Sequence, residues 1–219
     1  MTLFYLYLWL ILIFLAAYSL ELILIKTFST KIFRIFVAPG IVIHELSHIL
    51  AAKLSGSKIM DYRFFDPRGG FVKFTKPKIP IIGNSLVSFA PLFFGSIVIL
   101  LFGILLKIQV TDFSNPPNFI EFLSIFQKVK ILSVPNILLF YLIMSVSAAL
   151  APSKQDFAIA WKGLIPFVIL TILIYFFIPK ADILINNLAS YYFICFILIC
   201  GILIIALIIF EIKKVILKR

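Results

Sequence analysis

Histidine, cysteine and acidic side chains are scarce in this chain. Its 219 residues include two His, two Cys and nine Asp or Glu. Cys195 and Cys200 lie five apart in an apolar stretch, which sends them to different helix faces, so neither a disulfide framework nor a thiolate metal pair is indicated. Charged residues make up only 13%, and no basic run interleaves with aromatics. Despite a formal net charge of +11, that pattern excludes nucleic acid as a partner, because phosphate backbones are held by clustered Lys and Arg. There is no internal repeat, no low-complexity tract and no polar segment long enough for a separate soluble domain. The first 26 residues lack a positively charged start and a small-residue cleavage site, so they are expected to be a first membrane helix rather than a removed leader.

What is present is apolar: 63% of residues are hydrophobic and mean hydropathy is +1.18. Uncharged apolar runs of about twenty residues match the thickness of a bilayer core. Six such spans are expected, at 3–25, 33–54, 84–106, 131–151, 157–178 and 188–211. The expected fold is an all-α polytopic membrane protein, a single integral domain over 1–219, sited in the cell membrane. Between the second and third spans, "DPRGG" is a turn signal flanked by alternating and aromatic residues. It predicts a small membrane-associated β-hairpin over about 58–76, with strands near 58–65 and 71–76. After the Pro-Pro breaker at 116–117, apolar residues at helical spacing predict an interfacial helix over about 118–130. With six alternating crossings, 13 of the 20 Lys and Arg fall on the side of the N-terminus, so both termini and the hairpin are expected in the cytoplasm. The same basic residues suit contact with anionic membrane lipids.

Both histidines, His44 and His48, sit in "VIHELSHIL", inside the second span. Four residues apart on a helix, their imidazoles project from one face one turn apart and can share one divalent metal. Glu45 lies at the edge of that face, where a carboxylate can take a proton from an attacking water. H-E-x-x-H on a helix is the zinc metalloprotease signature for this reason. In a chain with so few histidines, chance would produce the pattern about two times in ten thousand. Two satisfied core histidines are the plain alternative, but a charged residue at mid-membrane costs about 2.5–3.5 kcal/mol on insertion scales, which favours a site.

A zinc site needs a third protein ligand and leaves a fourth position open. Residue 54, where a metzincin would place its third histidine, is Leu54, so a carboxylate is expected. The candidates are Glu21, Asp61, Asp66, Asp112, Glu121, Asp156, Asp182 and Glu211. In the six-span topology Asp112, Glu121 and Asp182 fall on the far side, and Glu21 and Glu211 fall near membrane interfaces. That favours Asp156, with the hairpin acids Asp61 and Asp66 as rivals.

An H-E-x-x-H in an early membrane helix and an Asp after a proline at the end of a later one resemble the site-2 protease family of intramembrane zinc metalloproteases. That family pairs its histidines with an Asp in N-x-x-P-x-x-x-x-D-G, and Asp156 is the matching position. "SFAPLFFG" (88–95) resembles the family's A-G-P-containing helix, and the hairpin matches a β segment often found there. The resemblance covers roughly 33–157. The chain departs from the pattern at Ala148, where the family has Asn, at Pro152, one residue nearer the Asp, and at Phe157, where it has Gly. A divergent minimal member is implied. The resemblance implies Zn2+ held by His44, His48 and Asp156, Glu45 as general base, and peptide bonds in or near transmembrane segments of membrane proteins as substrate. A zinc-dependent membrane hydrolase of a lipid or ester, and a non-catalytic membrane protein with a relic metal site, are the alternatives. Retention of Glu45, which is not a ligand, favours catalysis.

Overall fold

The computed structural model describes residues 2–65, 70–107, 120, 133–150, 168–169, 171–179 and 181–216. Its elements are α1 (Thr2–Thr27), α2 (Thr30–Phe36), α3 (Ala38–Leu54), β1 (Ile59–Arg63), β2 (Phe71–Phe74), α4 (Pro80–Leu105), α5 (Val134–Ala148) and α6 (Ala181–Ile216). A further helical stretch covers 171–177. Among the described residues, three helices are long and apolar enough to cross a membrane: Leu3–Thr27, Ile82–Leu105 and Ala181–Ile216. The α2–α3 pair passes the same test only if its two parts are one broken span. At 15 residues, α5 is about 22 Å long, short of a hydrocarbon core of about 30 Å. The expected fifth span is described only at 168–169 and 171–178, and the expected interfacial helix lies outside the described residues except Ile120.

The second expected span is not one helix. α2 and α3 meet at 76°, around Val37. The cause is Pro39 in the first turn of α3, which has no N–H for the carbonyl of Ile35 and whose ring would crowd it. The α3 ladder restarts with Ile41 N–H on the Val37 carbonyl, at 3.0 Å.

The helix directions bear on a second expectation. Trp9 stacks edge-on against Phe193, with ring centroids 4.8 Å apart, and at the other end Lys213 reaches the Thr27 carbonyl at 2.7 Å. So α1 and α6 lie side by side and run in the same direction. Their interface is buried and apolar, with Leu10, Ile13, Ala17, Leu20 and Leu24 at helical spacing from α1 and Ala189, Ile199 and Ala206 from α6. The first and last of six alternating crossings would be antiparallel, and the placement of both termini on one side depended on that. If both helices cross a membrane, their N-terminal ends share one face and their C-terminal ends the other.

A second group of helices carries the histidines. α3 and α4 are antiparallel, with Ser55 beside Gly83 and His48 beside Val87. α3 and α5 are parallel, through Phe36–Tyr141, Gly40–Ser145 and His44–Ala149. The hairpin follows α3 directly. β1 and β2 pair antiparallel from Ile59↔Phe74 to Arg63↔Phe71, with a bulge between Ile59 and Asp61, and the strands are shorter than expected. Ile59 and Phe74 seat the sheet on Ala51 and Ala52 of α3 and Val87 and Ala90 of α4. The turn residues 66–69 lie outside the described residues.

Candidate metal centre

The start of α3 is pressed against α5. A Cβ on Gly40 would fall 2.0 Å from the Ser145 carbonyl oxygen, so no side chain fits there. The Gly40 N–H, an orphan donor of the first helical turn, donates to Ser145 Oγ at 2.8 Å. Ser145 is fully buried and acts as a cap supplied by a neighbouring helix. One turn further along α3 is His44, and the next turn brings His48.

Each imidazole is oriented by a backbone carbonyl. His44 Nδ1 donates to the Ala149 carbonyl at 2.7 Å, and His48 Nδ1 donates to the Val87 carbonyl at 2.8 Å. A carbonyl can only accept, so these partners place a proton on both Nδ1 atoms. Neither acceptor is an accident of packing. Val87 stands four residues before Pro91, inside α4, and its carbonyl would ordinarily take the N–H of residue 91. Proline has no N–H, and its ring pushes that carbonyl off the helix ladder. Ala149 is the residue just past α5, where helix-end carbonyls have no intrahelical donor.

With each Nδ1 turned to a carbonyl, the two rings bring their Nε2 atoms to 3.1 Å from each other. Two facing Nε2 lone pairs at this spacing repel unless a metal ion or a proton lies between them. Two nitrogens on one tetrahedral zinc, each at about 2.0–2.1 Å, would be separated by about 3.3–3.4 Å, close to the observed spacing. A second protein group holding the non-ligating N–H is also what metal-bound imidazoles require. The C-terminal end of α5, which carries partial negative charge, points at His44 and favours a cation in the same place. The pair therefore fits a zinc ion.

Glu45 is 7% exposed and His48 5%, whereas His44 is half-buried. Over the Glu45 carboxylate sits the hairpin: a Cβ on Gly70 would fall 2.5 Å from Oε1 and 2.6 Å from Cγ. The glycine is thus the residue that lets the strand backbone approach the acid. The hairpin and the H-E-x-x-H helix form one unit.

The described residues bring no carboxylate to the histidine pair. Among the described residues, no group of three His, Cys, Asp or Glu side chains converges. Glu21, Asp61, Asp182 and Glu211 are described and do not join the histidines. Asp156 lies outside the described residues, as do Asp66, Asp112 and Glu121. The sequence reading missed Val87, Ala149 and Gly70. Only Pro91, a proline inside an apolar run, signalled a freed carbonyl four residues earlier.

Comparison with protein-family models, with curated proteins and with solved structures gives no match.

Proposed function

We propose that this chain is an intramembrane zinc metalloprotease of the site-2 protease kind, cleaving peptide bonds in or near transmembrane segments of other proteins. The observation that carries the reading is the pair of Nε2 atoms 3.1 Å apart, each ring fixed from behind by a carbonyl that its own helix leaves without a donor. His44 and His48 hold the metal, and Asp156 completes the ligand set. Bound there, zinc supplies Lewis acidity, lowering the pKa of a water and polarising the scissile carbonyl. Glu45 takes the proton of the attacking water and passes it to the leaving amine. Burial of Glu45 beneath Gly70 keeps bulk water from it and supports a role in chemistry rather than in solvation.

A substrate helix must unwind before its carbonyls can be attacked. The hairpin offers a place for the unwound strand: among the described residues no third strand pairs with the sheet, and Met60, Asp61, Tyr62 and Arg63 of β1 are exposed. Strand addition to an open edge would supply main-chain hydrogen bonds without regard to sequence. The parallel α1 and α6 support an odd number of crossings. An odd number puts the termini on opposite faces of the membrane. The four basic residues at 213–219 then leave the side of the N-terminus, and the bias that assigned that side to the cytoplasm shrinks to near parity.

Metal analysis of purified protein tests the reading. Wild type is expected to hold about one zinc per chain, and His44→Ala or His48→Ala to lose it. Asp156→Ala should weaken zinc strongly, while Asp66→Ala, Asp112→Ala and Glu121→Ala leave it in place. Zinc retained in a double His44→Ala, His48→Ala variant would end the proposal. Loss in Asp66→Ala with retention in Asp156→Ala would reassign the third ligand and remove the family pattern.

A further inference from the structure

The membrane end of the α1–α6 pair carries a cavity of about 270 Å³ that the proposed chemistry does not use. Its walls are apolar: Leu24 and Phe28 from the end of α1, Phe33 from α2, and Ile205, Ala206 and Ile209 from α6. It exists because α2 bends away from α3 by 76° and overhangs the α1–α6 groove. Phe28 and Ile205 are exposed on its rim, as expected for a groove that opens toward lipid.

The rim is basic. Ile202, Ile205, Ile209 and Lys213 fall three or four residues apart and form one stripe of α6, so Lys213 closes the groove at its outer end. Its ammonium donates to the carbonyl of Thr27, the last residue of α1, at 2.7 Å. That bond uses one of three ammonium donors. Lys214 pairs with Glu211 at 3.6 Å, which leaves the acid neutralised rather than opposing Lys213.

We propose that this groove is a binding site for an anionic phospholipid of the surrounding bilayer, with one acyl chain between α1, α2 and α6 and the phosphate on Lys213. An apolar slot capped by an ammonium group at the depth where a helix ends matches a lipid in both chemistry and order. An uncharged occupant would use the slot but not the cap, and a soluble phosphate the reverse. The bound lipid would brace α2 and, through the bend at Val37, the start of α3. None of His44, Glu45 or His48 takes part, so the proposal stands apart from the metal reading.

The test is native mass spectrometry and thermal unfolding of the full chain with phosphatidylglycerol or phosphatidylcholine of identical acyl chains. Wild type is expected to retain phosphatidylglycerol and to unfold at higher temperature with it, and phosphatidylcholine to do neither. Lys213→Ala should lower retention about fivefold, the worth of one basic residue at an anionic surface, and Lys213→Arg should restore it. Ala206→Phe fills the groove without changing charge and should lower retention as much. Should that variant fail to fold, Ile205→Trp on the exposed wall serves the same purpose. Equal retention of the two lipids by wild type would mean only a lipid annulus and overturn the proposal. So would full retention in Lys213→Ala, or loss in Lys213→Ala with full retention in both groove-filling variants.

Discussion

Pro91→Ala separates the two jobs of one proline, and its effects on stability and on metal binding should have opposite signs. In the helix interior, proline costs about 3 kcal/mol relative to alanine, so the substitution should raise the unfolding temperature of the metal-free protein. The N–H that the substitution introduces at position 91, however, lies in register with the Val87 carbonyl, the acceptor that holds His48 Nδ1 at 2.8 Å. A carbonyl has two lone pairs, so the competition weakens the histidine bond rather than abolishing it. Taking about 0.5–1.5 kcal/mol as the net worth of one such bond, zinc affinity should fall by about 2- to 13-fold. That lies at the low end of the roughly 10- to 100-fold range typical for loss of a group that orients a metal ligand. The assay is competition of the purified variant against a zinc chelator, beside a thermal melt without metal. A backbone ester at residue 91 supplies the control: it has no N–H, as proline has none, and should restore affinity without restoring the ring. Unchanged zinc affinity in Pro91→Ala, alongside the gain in stability, would refute the role given to the Val87 carbonyl.

Two further perturbations address other parts of the account. Gly70→Ala puts a methyl group 2.5 Å from Glu45 Oε1, so hairpin or carboxylate must shift, and turnover should drop at least about tenfold while zinc stays bound; an unaffected rate would show that the hairpin does not position the acid. Single cysteines placed near residues 2 and 216, with Cys195 and Cys200 replaced, should be labelled by a membrane-impermeant reagent from opposite sides of sealed vesicles, and labelling from one side would restore the antiparallel arrangement.

The parts legible in the sequence are those where side chains carry the information. His44, Glu45 and His48 announce themselves through four-residue spacing on a helix, and "DPRGG" announces the hairpin whose strands are Ile59–Arg63 and Phe71–Phe74. The groups that orient the histidine pair are backbone carbonyls, at Val87 and Ala149, and a carbonyl has no letter of its own. Pro91 was the available clue, because a proline inside a helix always leaves an acceptor one turn earlier. Pro39 likewise stood in the expected second span, yet hydropathy alone registers it as a small dent in an apolar run rather than a 76° bend. Direction is harder still. Hydropathy gives length, and the basic-residue count gives sides only once the number of crossings is known. The parallel pairing of α1 with α6 rests on contacts such as Trp9–Phe193, between residues 184 apart.

The central claim is that Glu45 moves the proton in hydrolysis of a membrane-buried peptide bond. Its most direct measurement is cleavage of a single-pass membrane peptide in zinc-loaded proteoliposomes, wild type against Glu45→Gln, with zinc content read on the same samples. Wild type should cleave, and Glu45→Gln should keep its zinc while turnover falls by about 10²–10⁴-fold. Equal cleavage by the two proteins, or no cleavage of any membrane peptide by zinc-loaded wild type, would contradict it.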